Sequence, residues 1–367
     1  QDLSILVLTG SAMAHAFRIP RGVDYVKLPS VAKLDNECYE SRSLGLPFEE
    51  TLTLREQIIY QTTVNYRPDF LFVDNVPLGM KGEIRRTLEY VRSRMPQTRV
   101  FLGLRDILDD SAEIVPLWRR LGVFEAIDRL YDCVFIYGLP EVFDMVREYQ
   151  WPESLRAKTC FCGYIPRPVE KEASLAARRE LCVSGEKLVL VTVGGGADGA
   201  HLVENYLRAV PEVFRDTPLT SLVLLGPEMK QEQARRLVSL GAAVSSVRFV
   251  EFCDDPLPMM DAADLVVSMA GYNTISEILA LRKKAIVVPR IRPRTEQLLR
   301  SRRLQDLRLI RMIHPDELNP RRLAGEMLAS FHAPEEPPAV NLDFGAIDRL
   351  SSQIGLFWGP GVSACRE

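Results

Sequence analysis

The sequence predicts an α/β protein made of two doubly wound units. Three observations carry this: short β-branched runs alternate with helix-period stretches along the whole chain, the pattern of parallel strands covered by helices. The 367 residues exceed the roughly 100 to 200 residues of one ordinary domain. A proline-containing, charge-rich passage from Pro166 to about Arg179 separates two such series and reads as an interdomain connection.

In the first half the chain opens on DLSILVLTGS, residues 2–11, with no basic or long apolar leader, which is not the pattern of a signal peptide. Strands are expected at Ile5 to Leu8, Val26 to Leu28, Phe70 to Val73, Arg99 to Leu102 and Cys133 to Ile136, and within KTCFCGYI from Lys158 to Ile165. The second half repeats the alternation more regularly: strands at Lys187 to Val193, Ser221 to Leu225, Val247 to Phe252, Leu265 to Ser268 and Ala285 to Val288, with helices near 200–213, 230–240, 274–281 and 296–304. A helix at Pro320 to Phe331 and a last helical segment at Phe344 to Gly355 follow. The expected organisation is 1–165 as a first Rossmann-like domain, 166–185 as linker, 186–335 as the second, and 336–367 as a tail that crosses back to the first.

Composition excludes several function classes. The 46 basic and 49 acidic residues nearly cancel, so there is no electrostatic footprint for nucleic acid. Seven cysteines, at 38, 133, 160, 162, 182, 253 and 365, form no CxxC pair, and there are only four histidines; a reducing, cytoplasmic setting fits this usage better than a disulfide or zinc scaffold. Cys160 and Cys162 would share one strand face, yet two thiols fall short of the roughly four ligands of a structural zinc.

Ligands of open α/β sheets bind beyond the carboxyl ends of the strands, and three such places stand out. In VTVGGGADG, residues 191–199, Gly194, Gly195 and Gly196 either make a tight turn or present backbone N–H groups to an anion; the pattern is neither GxGxxG nor a P-loop. In SMAGYNTISE, residues 268–277, small residues leave a helix N-terminus open to a diphosphate. Glu277 lies three residues after Thr274, either a capping-box partner or a carboxylate for vicinal ribose hydroxyls. In PRIRPRTEQLLR, residues 289–300, Arg290, Arg292 and Arg294 precede Glu296 and Gln297: a solvated face, or groups around an anionic, hydroxylated ligand.

Together these loops resemble the donor-binding half of GT-B glycosyltransferases, in particular the bacterial family that adds N-acetylglucosamine to the lipid-linked peptidoglycan precursor. FCDDPLPMMDAADLVVSMAGYNTISEILALRKKAIVVP followed by EQ is similar to that family's uridine-nucleotide signature. The resemblance implies that Phe252 and Cys253 border the nucleobase, Met260 closes over it, Ala270, Gly271, Tyr272 and Asn273 lie at the diphosphate, and Glu277 binds ribose. Glu296 and Gln297 would face the donor sugar, and the leaving diphosphate would be neutralised by helix N–H groups around 270–274, supplemented by the glycine loop and nearby arginines such as Arg290. It further implies a nucleoside diphosphate sugar as donor, UDP-linked, with no cofactor and no chelated metal.

The first half is similar to a less characterised bacterial branch of predicted glycosyltransferases, through RGVDYVKLPS (21–30), RPDFLFVDNVPLGMKGE (67–83), LGLRDILDD (102–110) and YDCVFIYGLPEVFD (131–144). The resemblance makes the first visible strand the counterpart of the family's second, so that 367 residues is a lower bound on the natural length. The family's Gly-His loop has no counterpart here, and His15, in the helical-looking AMAHAF, reads as a core or surface residue carried only as a candidate. For proton chemistry Asp106 leads, with Asp74 beside it; both follow strands, and a raised carboxyl pKa would let either deprotonate an acceptor hydroxyl. The expected activity is sugar transfer to a small-molecule, saccharide or lipid-linked acceptor by a cytoplasmic protein, on the lipid reading peripheral to the inner membrane. The alternatives are a nucleotide-sugar 2-epimerase and a non-catalytic nucleotide-sugar-binding protein. Oligomeric state is open.

Overall fold

A continuous apolar run suits a strand buried on both faces: residues 100–104 and 188–192 are buried at every position, whereas the runs at Ile5–Thr9 and Phe70–Asp74 stay partly exposed. The computed structural model describes residues 3–12, 14–16, 19–33, 39–181, 186–332, 334 and 337–358. Its strands are β1 (Ile5–Thr9), β2 (Val23–Lys27), β3 (Val31–Lys33), β4 (Tyr39–Ser41), β5 (Phe70–Asp74), β6 (Arg99–Arg105) and β7 (Cys133–Tyr137), then β8 (Thr159–Phe161), β9 (Lys187–Thr192), β10 (Leu219–Leu224), β11 (Val247–Val250), β12 (Leu265–Ser268), β13 (Ala285–Val287) and β14 (Arg311–Met312).

The second sheet has the order β11-β10-β9-β12-β13-β14, all parallel. That is the 3-2-1-4-5-6 order of a Rossmann unit. Along each strand alternate side chains enter opposite cores: Val189, Val191, Val223 and Val267 on one face, Leu188, Leu190, Leu222 and Val266 on the other. The order reverses between β9 and β12, so the loops after these two strands, residues 193–199 and 269–271, meet at the switch point.

The first half has a parallel sheet of order β5-β6-β7-β8. β1 pairs in parallel with β2 as a separate ribbon. A short antiparallel pair, β3 with β4, lay outside the expected elements because three-residue strands carry too little alternation to read. β2 begins earlier than the Val26 to Leu28 expectation, and of the Lys158 to Ile165 segment only Thr159–Phe161 is strand; the chain turns away at Gly163, which has φ +85°.

One face of this sheet is covered by its own helices and the other by the end of the chain. Phe101, Phe135, Cys133 and Cys162 lie under the Ala346–Phe357 helix, with the Phe101 and Phe357 rings 5.2 Å apart and Phe70 and Trp358 5.1 Å apart. Arg349 donates to the Cys162 carbonyl at 2.8 Å. Within the connecting passage, Lys171–Glu180 is a helix, and its Arg178 donates to the Ala262 carbonyl and to Asp264 of the second unit.

Candidate functional site

The glycine loop after β9 and the turn after β12 line one recess of about 170 Å³, with Gly194, Gly195, Gly196, Asp198, Gly271, Thr274, Arg290 and Gln297 among its walls. Backbone chemistry sets the shape of the loop. Gly196 has φ +93°, and a Cβ there would sit 2.2 Å from the Leu225 carbonyl oxygen, so only glycine fits. The Glu228 N–H donates to the Gly195 carbonyl at 2.7 Å, pinning the loop to the one that follows β10.

The Tyr272–Ala280 helix takes Gly271 as its N-cap, with no side-chain cap. This corrects the capping-box alternative, in which Thr274 would be the cap: Thr274 lies half-buried inside the first turn, beside the exposed Asn273. The consequence is chemical, because unpaired N–H groups and their dipole then face the recess. A Cβ on Gly271 would meet nothing within 4 Å, so this terminus is open. Ala270 is fully buried behind it.

Glu277 forms no capping box. Its Oε1 accepts from Arg167 Nη2 at 2.7 Å and Nε at 3.1 Å, and Arg167 Nη1 lies 3.4 Å from Asp255. Arg167, in the Pro166–Pro168 connection, therefore bridges the carboxylate assigned to ribose and the loop that carries Phe252 and Cys253. Phe252 is exposed and Cys253 half-buried; burial pushes the Cys253 thiol above its usual pKa, which leaves it neutral. Met260 departs from expectation. It is 1% exposed and packs in the core with Ala263 and Ile278, so it does not close over a ligand.

Arg290 organises the far side of the recess, donating to Asp198 at 3.2 Å and to Glu296 at 2.8 Å. Its backbone N–H donates to Gln297 Oε1 at 3.0 Å. Gln297 is thereby oriented with its carbonyl oxygen already engaged, and Glu296 Oε2 is buried without a hydrogen-bond partner.

The largest correction concerns Asp106. Rather than an acceptor-facing base, it is 1% exposed and locked to Arg300: Nη2 to Oδ1 is 2.7 Å and Nε reaches both oxygens at 3.0 and 3.1 Å. Tyr164 Oη adds a bond to Oδ2 at 3.2 Å. A carboxylate engaged on both oxygens by a guanidinium has no free lone pair facing a substrate. For Arg300, burial opposes the charge and the Asp106 carboxylate more than offsets it, so its pKa ends above the usual arginine value. Asp110 caps the Ser111–Arg120 helix, and Asp109 accepts from the backbone and hydroxyl of Thr295 at 2.8 and 2.9 Å. Asp74 is exposed at the end of β5, and His15 is exposed in the Ala14–Ala16 turn after β1. Among the described residues no group of three or more His, Cys, Asp or Glu is arranged for a metal, and no helix is long and apolar enough to cross a membrane.

Sequence reasoning missed Arg167, Asp198 and Arg300. Arg300 had a signal, since it follows Glu296 by one helical turn. Arg167 had none, because a PRP connection looks the same wherever it folds.

Residues 188–343 match the glycosyltransferase family 28 C-terminal domain. The fold is GT-B. Over 84% of this chain and 76% of the other, it superposes on Acinetobacter baumannii MurG with a TM-score of 0.51 at 13% identity. The Neisseria meningitidis UDP-GlcNAc 2-epimerase bound to UDP-GlcNAc covers 96% of this chain and 99% of its own, with a TM-score of 0.56 at 12% identity. At these identities the likeness is one of fold. By sequence, 145 residues are 26% identical to the Clostridioides difficile UDP-N-acetylglucosamine–N-acetylmuramyl-(pentapeptide) pyrophosphoryl-undecaprenol N-acetylglucosamine transferase, 38% of this chain and 34% of that relative. The chain thus matches about a third of that relative's length, and the GT-B fold is shared well beyond that stretch.

Proposed function

We propose that this protein transfers a sugar from a UDP-linked donor to a nucleophile on an acceptor. The observation that carries the reading is the meeting of an uncapped helix terminus at Gly271 with the glycine loop, in one recess that Arg290 and Gln297 also line. The N–H groups of residues 271–274 receive the charge of the departing diphosphate, a preorganised electrostatic stabilisation of the leaving group. Glu277 accepts from the two ribose hydroxyls, Phe252 and Cys253 border the base, and Glu296 and Gln297 orient the sugar. An acceptor oxygen bonds to C1 as the C1–O bond to the diphosphate breaks, and the acceptor proton passes to a base. With Asp106 withdrawn into its ion pair, Asp74 and His15 are the candidates for that base.

The relatives are named for transfer to an N-acetylmuramyl-(pentapeptide) pyrophosphoryl-undecaprenol. A lipid-linked acceptor for this chain would place it at the inner membrane surface, and a soluble saccharide would not. The test is a mass-resolved screen of UDP and TDP sugars, each alone and with saccharide and lipid-linked acceptors. Sugar-extended acceptor plus free UDP supports the reading. An isomerised nucleotide sugar formed without acceptor replaces it with epimerisation, and inert donors in every arm reject catalysis.

A further inference from the structure

The diphosphate-facing turn of the second unit is held from behind by residues of the first. Arg300, 1% exposed, spends its guanidinium in two directions: Nε and Nη2 grip Asp106 at the end of β6, while Nη1 donates to the Ala270 carbonyl at 2.9 Å. Ala270 immediately precedes the N-cap Gly271. On the other side of that cap, Tyr272 Oη donates to the Tyr137 carbonyl at the end of β7, at 2.8 Å. The Tyr272 ring is flanked by the guanidiniums of Arg105 and Arg300, each 5.8 Å from its centroid, and by the Tyr164 ring at 6.4 Å. Gly138 makes the approach feasible: a Cβ there would lie 2.6 Å from Asp106 Cβ.

We infer that Arg300, Asp106 and Tyr272 are positioning residues for the donor diphosphate, fixing the 270–272 backbone against the carboxyl ends of β6 and β7. This rests on the proposed donor site. An anion held by backbone N–H groups depends on their direction, and a small misplacement of such groups removes much of their effect. A planar fork bonded on both sides resists rotation in a way that a single ammonium does not. Among the described residues no side-chain hydrogen bond, ion pair or ring contact joins Glu277 or Phe252, the nucleoside end of the proposed site, to this network, and the Glu277 carboxylate is bonded to Arg167 instead.

The test is the ratio of affinities for UDP and uridine, measured by calorimetric titration, because only UDP reaches the turn. Arg300→Lys keeps the charge and loses the fork, and Tyr272→Phe keeps the ring and loses the bond to the Tyr137 carbonyl. Losing one such bond is expected to weaken UDP roughly tenfold, with uridine affinity held within about twofold. Tyr272→Phe decides alone if Arg300→Lys does not fold. Ratios equal to the parent's in the folded variants overturn the inference while leaving the donor site standing. Equal losses of UDP and uridine also overturn it, since general loosening would do that. A parent that binds neither ligand removes the donor site itself, and the inference with it.

Discussion

Replacing Arg300 by Met should do more than lower stability: it should uncouple the two halves of the molecule. The variant leaves the Asp106 carboxylate buried with only Tyr164 Oη at 3.2 Å and its neighbour's N–H, that of Ile107, at 2.8 Å. Removing one partner of a buried pair costs about 3–5 kcal/mol, because the remaining charge has lost its compensation. Replacing both, as Asp106→Leu with Arg300→Met, removes the stranded charge, so the double variant should lie within about 2 kcal/mol of the parent. The assay follows from where the probes sit. Trp118 and Trp151 are in the first unit's core and Trp358 packs on its Phe70, so all three tryptophans report that unit, whereas circular dichroism reports both. In urea the parent should show coincident transitions by the two methods. Arg300→Met should shift its midpoint down and separate them, and the double variant should restore most of the midpoint. A single variant within about 1 kcal/mol of the parent, with transitions still coincident, would refute the account of this pair as the strut between the units.

Glu277→Ala removes a charged acceptor of two hydroxyl bonds, worth about 1.5–3 kcal/mol; UDP affinity by calorimetry should fall roughly 10- to 150-fold with the circular dichroism spectrum unchanged. Arg167→Ala frees that carboxylate. The pair is half-open, with the arginine side chain 47% and the glutamate 14% exposed, so uridine should bind only about two- to fivefold tighter, and weaker binding would show that Arg167 is a ligand rather than an occupant. Alkali should destabilise the first unit through Cys133. Burial, then the neighbouring Cys160, raises its thiol from 9.0 to about 11. A raised acid is neutral in the fold and ionises first in the unfolded chain, so its contribution is intact below pH 9 and lost as pH rises through about 11. Cys133→Ala should flatten that part of the stability curve measured in urea at graded pH.

Much was legible because it is local. Burial on both faces of β9 and β12 calls for apolar residues at nearly every position, and Lys187 to Val193 and Leu265 to Ser268 declare it. Gly194 to Gly196 and Ala270–Gly271 announce strand ends where backbone must approach something closely, and the three glycines of the loop line the recess together with Gly271. Met260 misled because an apolar residue reads alike under a ligand and under a sheet. The short pair β3 and β4 escaped for want of length.

The sequence by itself determined the alternation of strands and helices, the two-unit plan and the residue types at each strand end, since these follow from side-chain period and backbone freedom within a few residues. Which of those residues meet was decided only by tertiary structure. Asp106 and Arg300 are 194 positions apart, and Arg167 and Glu277 are 110 apart. No local pattern reveals whether a strand-end aspartate faces a cleft or a buried guanidinium, because desolvation and charge pairing belong to the packed whole.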